Sequence, residues 1–493
     1  MKARIIVNKN FQIGEIDKRI YGSFIEHVGR AVYSGIYEPS HQLADKDGFR
    51  TDVIDLIKQI DVPIIRYPGG NFVSGYNWED GIGDKSSRPC KQEPAWKSIE
   101  TNEVGIDEFQ KWSSEIGCEI NMAVNLGTRG ATEAQNLVEY CNCNTNTHFA
   151  ELRRKNGYEK PFNIKTWCLG NEMDGPWQIG HKTAEEYGKL ACEAAKLMKM
   201  TDPDIELVAC GSSSYDMKTF GEWELKVLDQ AYDYVDYISL HQYYGIQADN
   251  TADLLGRSVR MDSFIKSVAA ICDAVKAKKH SQKSVNLSFD EWNVWYRTRY
   301  ETNEVWQVAP PILEEIYSFE DALLVGLMLM TLQNNCDRVK IACMAQLVNV
   351  IAPIMTEKGG KAWAQTIFYP YMYASKYGRG NALKVIKDCE SYQTSDNLTV
   401  PYLECSVIQN QEKHELTLFA VNRSLNDTID LELEFEGFKN LTILEHIELY
   451  SDNLTENNTK SNQNVKPIAK AIPSHANKIA LNKHSWNMIR FSY

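Results

Sequence analysis

The chain has 493 residues, of which 66 are acidic and 53 basic, and its net charge of −13 argues against a nucleic-acid backbone or an anionic membrane as the main partner. Hydrophobic residues at 43% and charged residues at 24% are ordinary globular values and exclude wholesale disorder. The balance fits a soluble protein with a neutral ligand, and the length leaves room for a barrel of ~250 residues or more beside a further domain.

The opening MKARIIVNKNFQ holds an apolar run of only three residues, too short for a signal-peptide core, so a cytoplasmic location is expected. From residue 18 to 380, short apolar segments alternate with longer helical patterns. The candidate strands are 20–26, 62–70, 119–127, 164–172, 205–213, 235–244, 285–293 and 338–346, several of them rich in Val and Ile as parallel strands covered on both faces are. Between them lie amphipathic stretches such as Thr183–Met200, where Thr183 and Glu186 make a capping box, and Asp253–Lys279. Eight strands each followed by a helix predict an α/β fold, a (β/α)₈ TIM barrel over residues 13–380. An open doubly wound sheet is the alternative, but no Gly-x-Gly-x-x-Gly follows a strand and no P-loop is present.

After residue 380 the segments LECSVIQN, HELTLFAVN, TIDLELEF and WNMIRFSY alternate with period two between polar turns. They predict an all-β sandwich over residues 381–493, completed by an N-terminal strand within residues 1–12. The most apolar helical stretch, Ala322–Leu332, is too short to span a membrane. The twelve cysteines sit mostly inside apolar runs and read as small buried hydrophobes rather than a disulfide framework.

A barrel places its chemistry at the C-terminal strand ends. There stand Glu26 and His27, Asn71, Asn125, Asn171 and Glu172, His241 and Tyr243, Asp290 and Glu291, and Gln346, with Trp96, Trp177, Trp292, Trp295 and Tyr244 close by. Carboxylates, amides and flat aromatic faces suit a sugar: acid and base groups, hydroxyl partners, and platforms for C–H surfaces. Glu172 and Glu291 are three β/α units apart, one on strand four and the other on strand seven, which sets them across the barrel mouth as a pair of the kind that retaining glycosidases use. His27 reads as a structural hydrogen-bonder. With neither a His-x-x-x-His pair nor an acidic calcium loop, no metal and no cofactor are expected.

The stretches FIEHVGRAVYSGIYEPS, RYPGG, GNFVSGYNWEDGIG, WCLGNEMDGPWQIGHKTAEEY, ISLHQYY and SFDEWNVWY resemble the motifs of the α-L-arabinofuranosidases of glycoside hydrolase family 51, and the likeness extends over nearly the whole chain. The resemblance implies that Glu172 is the acid/base and Glu291 the nucleophile. It further implies that Glu26, Asn71, Asn171 and Gln346 bind sugar hydroxyls and that Tyr243 orients the nucleophile. Trp96, Trp177 and His241 complete the expected substrate contacts. A retaining exo-acting enzyme is implied, one that releases terminal arabinofuranosyl residues from arabinan, arabinoxylan or arabino-oligosaccharides. The family also implies a homo-oligomer, commonly a hexamer. A retaining β-xylosidase or endoglucanase on the same barrel plan, or a non-catalytic sugar-binding module, are the alternatives.

Overall fold

Each of the eight candidate segments contains a strand in the computed structural model, which describes residues 1–245, 250–296, 306–472 and 477–493. The strands are Gly22–Phe24, Ile64–Tyr67, Glu119–Ala123, Thr166–Leu169, Glu206–Ala209, Tyr237–Gly245, Asn286–Trp295 and Val339–Ala345. They close into one barrel in chain order, every neighbour parallel, so the doubly wound alternative falls. The first five strands are short, with three to five residues each; strands six and seven have nine and ten. Those two rise together at the barrel mouth and carry polar side chains with them.

The local signals behave as the physics requires. Thr183 caps the helix Ala184–Thr201: its hydroxyl accepts from Glu186 N, and the Glu186 carboxylate accepts from Thr183 N at 3.0 Å. Asn250 does the same for the long helix Thr251–Lys278 through Asp253 N at 3.0 Å.

Beyond the barrel lies one continuous nine-stranded sheet. Lys2–Glu15 sits inside it, antiparallel to Asn381–Asp388 and parallel to Ile429–Glu436. Ile429, Leu431 and Leu433 are buried while Asp430 and Glu432 between them are exposed, the period-two pattern of a strand with one wet face. Ile443 and Leu481, from strands near opposite edges of the sheet, share one core with Ile5, Leu383 and Leu418. The sheet is therefore curled over itself, with the layers of a sandwich.

The apolar helix Phe319–Asn334 joins the two parts. Its residues from Asp321 to Gln333 are all buried, because it is covered by the barrel on one side and by the sheet on the other. Asn334 Nδ2 donates to Cys405 O at 3.0 Å, and Gln333 Nε2 to Tyr21 Oη at 3.1 Å. Among the described residues no helix is long and apolar enough to cross a membrane.

Gly326 faces Trp486 at this seam, and a Cβ there would lie 2.4 Å from Trp486 Cδ1. Gly326→Ala should therefore lower the thermal unfolding midpoint, since overpacking of about 1–3 kcal/mol outweighs the helix-propensity gain of about 1 kcal/mol. A midpoint at or above the parent's would show that Trp486 moves aside without cost.

Candidate active site

Three local features of the chain aim the polar groups at the barrel mouth. The first is a bulge in strand seven. The interval Ser288–Glu291 pairs with Ser239–His241 on strand six, and Phe289–Trp292 pairs with Ala342–Met344 on strand eight, so strand seven carries one extra residue against each neighbour. Adjacent residues of a regular strand point to opposite faces; the bulge lets Asp290 and Glu291 both reach His241. The second is the turn after strand four. Gly170 has φ +93° and Glu172 φ +44°, a left-handed conformation that is uncommon outside glycine, and the carbonyl of Glu172 accepts from Gly175 N at 2.8 Å. The third is Gly69-Gly70. A Cβ on Gly69, which has φ +116°, would lie 2.5 Å from the Glu26 side chain, and one on Gly70 would lie 2.8 Å from Glu26 Oε2. The two glycines make the seat into which Glu26 fits.

Around Glu291 the donors are dense. Tyr243 Oη donates to Oε1 at 2.6 Å and Arg66 Nη1 to Oε2 at 3.0 Å. Arg66 Nη2 donates to Asn171 Oδ1 at 2.6 Å, and its Nε lies 3.8 Å from Asp290 Oδ2. His241 Nδ1 is 3.0 Å from Glu172 Oε1 and 3.2 Å from Glu291 Oε2, while Nε2 is 3.0 Å from Asp290 Oδ1. Trp177 Nε1 donates to Glu172 Oε2 at 2.7 Å. Glu26 accepts from Trp96 Nε1 at 2.8 Å and Phe72 N at 2.9 Å, and its own backbone N–H donates to Gln346 Oε1 at 2.9 Å.

Burial sets the protonation pattern. It pushes Glu26 up to about 8 against the pull of Phe72 N–H and the Trp96 indole. Burial also raises Glu291; the nearby His241, Arg66 and Tyr243 resist it, and Glu172 adds to it. Burial alone would lower His241, but Glu291, Asp290 and Glu172 together bring it to about 10. Asp290 is held below the usual carboxylate range: burial pushes it up, and Arg66 with His241 overcomes that push.

A cleft of ≈540 Å³ opens above these groups. Glu26, Asn71, Trp96, Glu172, Trp177, Tyr243, Glu291 and Gln346 line it, so eight of the ten residues expected from the sequence to be catalytic or to touch substrate share one cleft, and Trp295 joins them. Asn171 and His241 are buried behind its wall, in contact with Arg66 and with the two glutamates respectively. His27 bonds Glu100 and Tyr67 and stacks on Phe72, while Asn125 caps its own loop through Gly127 N and Thr128 N.

Arg66 was not among the sequence candidates. Its signal was there: a charged residue inside the buried run IIRY. Asp290 was noted only as the neighbour of Glu291. Gln242, inside the ISLHQYY stretch, and Ser213, Leu313 and Ile351, outside every quoted motif, also line the cleft. Glu172, His241 and Glu291 have ligand atoms within 4.8 Å of one another, a set that residue spacing could not reveal. A cation there would have to displace the Nδ1 proton of a strongly basic imidazole and sit beside Arg66, so the set fits acid–base chemistry better than metal binding.

Comparison with known proteins places this geometry. An α-L-arabinofuranosidase 1 domain model matches residues 56–259, and an α-L-arabinofuranosidase C-terminal domain model matches residues 290–485. The chain is 58% identical to an intracellular exo-α-(1→5)-L-arabinofuranosidase 1 of Bacillus subtilis over 99% of both chains. The chain belongs to the α-L-arabinofuranosidases of glycoside hydrolase family 51. A second relative, the intracellular exo-α-(1→5)-L-arabinofuranosidase of Halalkalibacterium halodurans, is 57% identical, again over 99% of both chains. The solved structure of AbfB, a family 51 α-L-arabinofuranosidase from Bifidobacterium longum, superimposes with a TM-score of 0.96 at 42% identity, covering 99% of each chain. The (β/α)₈ barrel with its β-sandwich is thus the fold of the family, and the protein is a glycoside hydrolase.

Two predictions follow for this enzyme. Arg66→Lys keeps the charge but loses the fork that spans Asn171 and Glu291, so kcat on nitrophenyl α-L-arabinofuranoside should fall by about 10²–10³. A loss under about fivefold would mean that a point charge suffices there. EDTA should leave both activity and melting temperature unchanged; a loss restored by one cation would overturn the acid–base reading of the glutamate–histidine set.

Proposed function

We propose that the enzyme is a retaining, exo-acting α-L-arabinofuranosidase working by double displacement, with Glu172 as acid/base and Glu291 as nucleophile. The observation that carries this is that one oxygen of each carboxylate lies within 4.8 Å of one oxygen of the other, inside one cleft. Retaining glycosidases hold their two carboxyls about 5–5.5 Å apart, whereas inverting ones need about 6.5–9.5 Å to admit a water. Glu291 attacks the anomeric carbon while Glu172 protonates the departing oxygen; then Glu172 takes a proton from water as that water displaces the ester. Tyr243 and Arg66, one on each oxygen of Glu291, favour its ionised form against burial.

Asn171 supports the role of a partner for the 2-hydroxyl. Its Oδ1 is taken by Arg66, which turns the amide so that Nδ2 remains the donor side, with Gln178 Oε1 at 3.4 Å as a weak acceptor. Glu26, Asn71 and Gln346 line the cleft and would take the remaining hydroxyls, and Trp177, 52% exposed, would meet the departing sugar. The names of the relatives support α-(1→5)-linked arabino-oligosaccharides as substrates, met inside the cell after import.

Azide separates the two roles. In Glu291→Ala, azide should attack an activated α-substrate from the vacated face and yield the β-azide. In Glu172→Ala, the glycosyl ester still forms from a nitrophenyl substrate, and azide should displace Glu291 to yield the α-azide. The reverse pattern would exchange the roles. If neither variant lost about a hundredfold on an unactivated arabinoside, the two-carboxylate reading itself would fail.

A further inference from the structure

Two buried groups have no part in the double displacement as described: the carboxylate of Asp290 and the imidazole of His241, which are 1% and 2% exposed. Three carboxylates face that ring, Glu172 from the turn after strand four and Asp290 and Glu291 from strand seven. One layer out lie Arg66 on Asp290 and Glu291, Tyr243 on Glu291, and the thiol of Cys168, which donates to Asp290 Oδ2 at 3.3 Å. Asp174 and Glu26 act on the cluster only through their charge, on Glu172 and Glu291 respectively.

The geometry divides the ring's two N–H groups unequally. Asp290, fixed by Arg66 and Cys168, engages Nε2 alone. Nδ1 has two acceptors at nearly the same distance, Glu172 Oε1 at 3.0 Å and Glu291 Oε2 at 3.2 Å. The other donors are committed: Arg66 and Tyr243 to Glu291, Trp177 to Glu172. Among the described residues His241 is the one donor that reaches both glutamates.

We propose that Asp290 holds His241 as an imidazolium whose single Nδ1–H follows the negative charge as the reaction moves it between Glu291 and Glu172. This rests on the roles given to the two glutamates above. Before reaction Glu291 is the anion and Glu172 carries a proton, so Nδ1–H serves Glu291. As the Glu291 oxygen bonds to the anomeric carbon, the bond to the leaving oxygen breaks and that oxygen takes the Glu172 proton. Glu291 is now a neutral ester and Glu172 the anion, and Nδ1–H turns to Glu172. In the second step water bonds to the anomeric carbon, its proton goes to Glu172, and Glu291 leaves with the bonding pair. Nδ1–H then returns. His241 keeps both of its protons throughout; it and Asp290 are positioning residues, supplying a prearranged donor at either end of the charge movement.

Asp290→Asn and His241→Asn test this, each checked for fold by melting temperature. With the imidazolium lost or neutralised, Glu291 faces burial and Glu172 with less opposing charge, so it protonates more readily. The acid limb of kcat/KM should move to higher pH by about one unit or more. Rapid mixing with a dinitrophenyl arabinofuranoside separates the two steps: the phenolate burst reports formation of the ester, and the steady state after it reports hydrolysis. Both should slow by about tenfold or more. An unmoved acid limb with uniform loss of activity would reduce the pair to packing. A slowed burst with unchanged hydrolysis would confine His241 to Glu291 and overturn the shared donor. Should Asp290→Asn fail to fold, His241→Asn carries the same readouts. The azide products of Glu172→Ala and Glu291→Ala judge the glutamate roles separately, so failure there is distinct from failure here.

Discussion

Arg66, buried to 1% exposure, lies on the floor of the barrel mouth beside the carboxylates of Asp290 and Glu291, which His241 links to Glu172, and none of these groups would be stable there alone. Taking an ion out of water costs several kcal/mol, and only paired geometry with further hydrogen bonds offsets it. Arg66 offsets it three ways, through Glu291, Asn171 and Asp290, with its guanidinium 4.8 Å above the Phe24 ring. His241 then closes the cluster against Glu172. The groups proposed to do the chemistry are thus also the groups that make one another's burial tolerable.

This constraint accounts for irregularities elsewhere. A regular strand seven would point Asp290 and Glu291 apart, so the bulge is what allows both to meet His241. Glu172 sits in a left-handed turn at a cost of about 1–3 kcal/mol, held there by Gly175 N, the Trp177 indole and His241. A rigid backing is needed to keep such strain in place. The helix Phe319–Asn334, buried between the barrel and the curled sheet, stands between strands seven and eight in the chain and supplies part of it.

The cleft above this floor has a different character. Its walls carry amides and aromatic rings beside the carboxyls of Glu26, Glu172, Asp216 and Glu291, and burial raises Glu26 to about 8.

Much of this was legible from residue order, because the signals are local. Apolar runs at regular spacing mark the eight strands, Thr183 with Glu186 marks a helix start, and a barrel's topology alone puts Glu26, Asn71, Asn171, Glu172, Tyr243, Glu291 and Gln346 at one end. What residue order could not decide is which of them touch. Arg66 lies in strand two, yet it meets partners from strands four and seven only once the barrel closes. His241 reads as one polar residue at the end of strand six, and it becomes a bridge only because a bulge one strand away turns two neighbouring acids toward it. The reason is physical: strands and caps follow from nearest neighbours along the chain, whereas the charge state of a buried group follows from whatever the closed fold brings within a few ångströms.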